Sequence, residues 1–100
     1  MSADPAPLEG LDPVIHAPKR LAAMAVLAGV ESTDFGFLRD HLRVSDSDLS
    51  KQMTALEQAG YVKVTKTGRG RGGRTTYRAT RAGRTAYAHH RAALRALLAD

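Results

Sequence analysis

One hundred residues with 43% hydrophobic content supply one modest core and leave no room for a catalytic domain beside anything else. The absence of cysteine excludes disulfides, thiol redox sensing and thiolate metal sites. The net charge of +5 conceals a split: residues 1–60 hold five Lys/Arg against nine Asp/Glu, whereas residues 61–100 hold ten Lys/Arg against Asp100 alone, so a polyanion met through the second part is the natural partner.

Residues 1–10 carry Asp4, Glu9 and proline breaks, with neither a basic start nor an apolar run. They read as a short disordered arm, not a signal peptide. The longest apolar run, 21–28, falls far short of the roughly 20 residues a membrane helix needs, so the expectation is a soluble, cytoplasmic protein with no membrane contact. Asp12-Pro13 opens a short turn, and Pro18 restarts the chain as a first helix that ends at Gly29. Leu21, Met24, Ala25 and Ala28 are its expected inner stripe, widened by Val26 and Leu27. So broad an apolar surface suits either a core or a second subunit. Residues 30–33 can add a short third strand, and Asp34 caps a second helix with Phe35, Leu38 and Leu42 inward and Arg39 and Arg43 outward.

Ser45-Asp46-Ser47-Asp48 fits a capping box, so a third helix starts there. Leu49, Met53 and Leu56 recur on one stripe, leaving Ser47, Ser50, Lys51, Thr54 and Gln58 on the other side. Gly60 can end this helix in the left-handed conformation, and 61–66 then alternates like a strand. Residues 68–73 are glycine and arginine only, while 74–79 is again rich in β-formers, which together read as a two-stranded hairpin with a basic tip. Thr80 caps a last helix, 81–98, with Ala86, His90, Ala93, Leu94, Leu97 and Leu98 near one stripe and Arg84, Arg91 and Arg95 largely off it. The fold class is mainly α with a small β-hairpin, an α+β arrangement with residues 11–100 as one domain.

Leu49-Ser50-Lys51-Gln52-Met53, then Leu56-Glu57-Gln58-Ala59-Gly60-Tyr61-Val62, Arg74-Thr75-Thr76-Tyr77 and Thr80-x-x-Gly83-Arg84, resemble the small winged-helix transcriptional regulators related to MarR and ArsR. The resemblance spans about residues 11–100 and implies a dimeric, sequence-specific binder of double-stranded DNA with a winged helix-turn-helix fold. In that family the last helix pairs with its symmetry mate, often with the first helix, which makes Leu21, Met24, Leu94, Leu97 and Leu98 the expected dimer interface. MarR-like proteins often carry a small-molecule effector between their dimer and DNA regions, but no residue here argues for one and this chain is shorter than typical members.

In a helix-turn-helix the N-terminal half of the second helix enters the major groove, which makes Ser47, Ser50, Lys51, Gln52 and Thr54 the candidate base readers. Lys66, Arg69, Arg71, Arg74 and Thr75 are the candidate wing contacts. Arg69-Gly70-Arg71 suits a narrow minor groove or, equally, loose phosphate contact, and it resembles the centre of an AT-hook without the flanking prolines. Gly68-x-Gly70-x-x-Gly73 matches a dinucleotide fingerprint, but a strand follows it instead of a helix, so it is rejected. Asp34-Phe35-Gly36 spells a kinase signature in a chain far too short for a kinase. His16, His41, His89 and His90 are the only metal candidates besides carboxylates, and the adjacent pair diverges by about 100° on a helix. No metal, cofactor or catalytic set is expected, and the histidines are expected at the surface or a dimer interface. The reading is a DNA-binding transcriptional regulator acting as a dimeric repressor. Its rivals are a winged-helix protein-interaction module and, less favoured, an RNA-binding winged helix.

Overall fold

The computed structural model describes residues 8–99, with the expected arm at 1–10 lying mostly outside them. What is described of that arm is a turn, not an extension: the Leu11 N–H donates to the Leu8 carbonyl at 3.2 Å, and a Cβ on Gly10 would stand 2.9 Å from Cβ of Ala93. Four helices and a three-stranded sheet follow as α1 (Pro18–Ala28), β1 (Thr33–Asp34), α2 (Phe35–Leu42), α3 (Asp46–Gln58), β2 (Val62–Thr67), β3 (Arg74–Ala79) and α4 (Arg81–Leu98). The sheet is antiparallel in the order β1-β3-β2. β1 thus adds the expected third strand, but at Thr33 and Asp34, opposite Tyr77 and Thr76.

The caps explain most of these boundaries. Pro18 occupies the first turn of α1, where its missing N–H costs nothing. Asp34 accepts from the Phe37 N–H at 2.7 Å and Thr80 from the Gly83 N–H at 2.9 Å, starting α2 and α4. At α3 the capping box is half made. Ser45 Oγ accepts from the Asp48 N–H at 3.1 Å, but the Asp48 carboxylate turns to Gln52 and Lys19 instead of back to the cap. α3 ends with Gly60 at φ 80°, the Gly60 N–H on the Glu57 carbonyl and the Tyr61 N–H on the Leu56 carbonyl, so the chain reverses directly into β2. α2 ends without a glycine: Arg43, expected as a helical residue, takes the left-handed conformation at φ 57°.

Leu49, Met53 and Leu56 are buried as the spacing requires, against Leu38 from α2, Val62 and Tyr77 from the sheet and Ile15 from the turn before α1. Each buried side chain of this size contributes about 1.5–3 kcal/mol. The inner face of α1 is Ala23, Met24 and Leu27, one step round from the expected stripe, while Ala25 is exposed. Ala23 and Leu27 stand four residues apart and share the face that meets the core cluster. Among the described residues no helix is long and apolar enough to cross a membrane.

Candidate nucleic-acid interface

α3 presents its polar side to solvent because its apolar side is spent on the core. Ser47, Ser50, Lys51 and Thr54 are all exposed there. The small hydroxyl side chains let a helix sit deep in a groove, and the Lys51 ammonium projects beyond them. Acidic residues also stand in the first turn of α3, where the helix dipole favours them. Both are matched by cations from neighbouring helices. Arg39 reaches Asp46 at 3.0 Å and Asp40 at 2.9 Å, and Lys19 pairs with Asp48. Asp48 is held below the usual carboxylate range by its hydrogen bonds to Gln52 and Lys19. Asp46 and Asp48 are thus each paired with a cation of the protein, whereas Glu57, exposed on α3 at the edge of the cleft beside the β2–β3 hairpin, has no ion-pair partner among the described residues.

Gln52 departs from expectation. Its Oε1 accepts from Arg20 Nη1 of α1 at 2.9 Å and its Nε2 donates to Asp48, one turn back on α3 itself, at 3.0 Å, so the amide is engaged at both ends. At 100° per residue Gln52 lies on the flank of α3 next to the buried stripe, and it is half-buried there. It positions α3 on α1 and leaves the reading face to its neighbours.

Beside α3 the hairpin of β2 and β3 closes a cleft of about 450 Å³, with Ser50, Thr54, Lys66 and Thr75 among the residues around it and Met53 and Tyr77 behind. Lys66 and Thr75 are cross-strand partners, so they share the sheet face that looks toward α3. Arg74 does not join them. It is one residue out of phase and reaches Asp34 at 3.6 Å, on the outer side. The glycine-arginine hairpin tip is a defined turn. Gly70–Gly72 make one turn of 3-10 helix, with the Gly73 N–H on the Gly70 carbonyl at 3.0 Å. Gly68 has φ 76°, and a Cβ there would lie 2.7 Å from the Gly72 carbonyl oxygen, so this position requires glycine. Arg69 is exposed at the start of the tip; the Arg71 side chain lies outside what the structure describes.

A helix-turn-helix whose second helix carries an exposed polar face, followed at once by a basic-tipped hairpin, is the arrangement of a winged helix. The winged helix DNA-binding domain family matches residues 19–98. The chain belongs to that family. The transcriptional regulator homologue protein from Pyrococcus horikoshii OT3 is similar in structure, with a TM-score of 0.79 and 25% identity over 85% of this chain and 84% of that one. NadR, solved in complex with 4-hydroxyphenylacetate, gives 0.68 and 17% over 96% and 78%. ZitR of Lactococcus lactis, a zinc-responsive MarR family member, gives 0.66 and 16% over 90% and 61%. These likenesses show the same winged-helix fold. No curated protein matches it.

The winged helix leaves part of α4 uncovered. Leu97 is 39% and Leu98 73% exposed, and Leu94 is half-buried. Leu21 is half-buried against the core, but Met24 is fully buried in it and so has no surface to offer a second subunit. Of the histidines, His90 is completely buried, against the expectation of a surface or interface position, because the segment before α1 folds over it. Among the described residues no group of three His, Asp or Glu gathers as metal ligands. Arg84 was legible only as an off-stripe cation, yet it donates to the Ala28 and Val30 carbonyls at 3.1 and 3.0 Å and closes the open end of α1. The Asp12–Tyr61 contact had no local sequence signal, since it joins residues 49 apart.

Proposed function

We propose that the protein is a sequence-specific, double-stranded DNA-binding transcriptional regulator that works as a homodimer and represses by occupying its promoter. One observation carries the reading: α3 leaves Ser47, Ser50, Lys51 and Thr54 exposed on one face, next to the wing face that holds Lys66 and Thr75. Lysine and small hydroxyls donate to base edges, and the wing cations neutralise phosphates on either side. The protein is a binding protein and not an enzyme in this reading, with no cofactor and no effector required. The exposed Leu97 and Leu98 at the end of α4 support a paired α4, which sets two half-sites about one helical turn apart.

The test is selection of a preferred duplex from a random pool, followed by titration of that duplex and a scrambled one across a salt series. Tighter binding to the selected duplex, with log K falling by about 0.9 per neutralised phosphate for each unit of log[salt], supports the reading. A flat salt response overturns it in favour of a protein-interaction module.

A further inference from the structure

The strand register sorts the cations of the wing between two faces. Lys66 opposite Thr75 and Val64 opposite Tyr77 lie on the side of the α3 cleft. Lys63 therefore projects from the other side, where it stands directly across from Arg78. Both are exposed, and among the described residues neither has a carboxylate within ion-pair distance. Thr65 opposite Thr76 continues this outer face toward the tip.

Like charges directly opposite one another on neighbouring strands destabilise a sheet. The same conflict recurs where β3 runs into α4. Arg81 and Arg84 stand in the first turn of that helix, where the dipole favours anions and no acidic residue is present. Arg84 is accounted for by the carbonyls it caps, whereas Arg81 is exposed and has no partner among the described residues. Two independent local rules are broken within one short stretch, and no contact among the described residues offsets the cost at Lys63, Arg78 or Arg81. An external polyanion would turn both costs into binding.

We infer that Lys63, Arg78 and Arg81 form a second phosphate-binding surface on the outer base of the wing, which takes the sugar-phosphate backbone of duplex DNA flanking the core site. Hydroxyls at Thr65 and Thr76 suit phosphate oxygens. A protein partner would call for an apolar centre, and the Lys63–Arg78 base of this face carries none among its strand residues; the exposed Phe37 and the Asp34 carboxylate border the face farther along, beside Arg74 and Thr76. Because strands rise about 3.3 Å per residue, the Lys63–Arg78 pair lies over 10 Å from the basic tip, too far to serve the same phosphates. The inference rests on the DNA-binding reading and extends it to sequence-independent contacts outside the operator.

The experiment compares wild type, Lys51→Ala, and the double variant Lys63→Thr with Arg78→Thr, on a minimal operator and on the same operator with one helical turn, roughly 10 base pairs, added to each end. The double variant is expected to melt at a higher temperature than wild type, since it relieves the repulsion. It should bind the minimal operator unchanged but lose affinity for the extended one, with a salt slope shallower by about 3.6, two phosphates per protomer of the proposed dimer at about 0.9 each. Equal losses on both duplexes would place the pair in the core interface, and no loss on either would point to an acidic protein partner; each overturns the inference. A lower melting temperature would also overturn it by making the pair structural. Failure of the DNA reading itself looks different: wild type and Lys51→Ala would then bind all duplexes alike.

Discussion

The backbone N–H of Asp12 donates to Nδ1 of His90 across 2.9 Å, which requires a neutral imidazole with its proton on Nε2. That proton points at Nδ1 of His16, 3.3 Å away. The Asp12 carboxylate accepts from the Tyr61 hydroxyl at 2.6 Å and from the Val14 and Ile15 N–H groups at 2.8 and 3.2 Å. One polar cluster thus ties the segment before α1 to the start of β2 and the middle of α4. Burial works to raise the Asp12 carboxyl, but the Tyr61 hydroxyl and the two amides outweigh it and hold it below its usual range.

The buried His90 makes stability depend on pH. Burial, then the neighbouring His16, push its pKa below the usual 6.5, against a smaller opposing pull from Asp12. The unfolded chain therefore binds a proton more readily than the folded one, and stability that is complete above about pH 6.5 falls as the pH drops below it. Urea midpoints from pH 8 to pH 5 measure this. His90→Asn keeps an acceptor for the Asp12 N–H and removes the titration, so it is expected to flatten the curve in that window. An unchanged curve would show that His90 is not the group responsible.

Tyr61→Phe removes the donor on Asp12 Oδ2 and leaves the two amides in place. A hydrogen bond to a charged group is worth about 1.5–3 kcal/mol, and the loss here should fall near the lower end because the pair is only part-buried. Asp12 is depressed below 3.8, so its contribution is present above that value and is lost as the pH falls through the folded pKa. In Tyr61→Phe that folded value rises toward 3.8, and the Asp12 part of the acid transition moves to higher pH. Chemical-shift titration of the Asp12 carboxyl in both proteins gives the comparison.

Much of this architecture was legible because local chemistry decides it. Ser45, Asp34 and Thr80 cap as read, Gly60 reverses the chain, and the Leu49, Met53, Leu56 stripe is the core face of α3. The errors arise where tertiary partners choose among local options. Asp48 satisfies the pattern of a capping box but finds Lys19 and Gln52 closer at hand. Gln52 looked free because a helical wheel shows only that a flank residue is polar, not that Arg20 will meet it. His90, near the apolar stripe of α4, reads as a surface or dimer-interface histidine because the turn that buries it comes from 78 residues away. The two wing faces were readable from strand parity alone once the register was fixed, and that register depends on the tip turn.

Gly83 packs its Cα against the strand start: a Cβ there would lie 2.0 Å from the Tyr61 carbonyl oxygen, which also accepts from the Thr80 N–H at 3.0 Å. Gly83→Ala must therefore move α4 away from β2. Overpacking of this kind costs about 1–3 kcal/mol, and each kcal/mol lowers Tm by roughly 4–8 °C in a domain of this size. Gly72→Ala, where nothing lies within 4 Å, is the matched control and should leave Tm within a degree or two, roughly the scale of an ordinary surface change.

Leu97→Ser with Leu98→Ser removes the exposed leucines at the end of α4 without touching the buried core. If α4 pairs with its mate, sedimentation should show a shift from dimer to monomer, with operator affinity falling and circular dichroism nearly unchanged. A wild-type chain that sediments as a monomer at micromolar concentration would remove the dimer from the proposal.

Lys51 and Gln52 are neighbours in sequence with opposite prospects. Lys51 is exposed on the free face of α3, so Lys51→Ala should cost roughly 1–3 kcal/mol on the best operator, less on scrambled DNA, and nothing in thermal stability. Gln52→Ala strips Arg20 on α1 of an acceptor and Asp48, within α3, of a donor. Two part-buried hydrogen bonds at about 0.5–1.5 kcal/mol each set the expected loss of stability. Any loss of affinity should then be the same factor for operator and scrambled DNA, because the reading face keeps its side chains and only its seating on α1 loosens. Paired titrations and melting curves for the two variants decide the matter. If Gln52→Ala relaxes sequence preference while its Tm is unchanged, then Gln52 leaves Arg20 when DNA binds and reads a base after all.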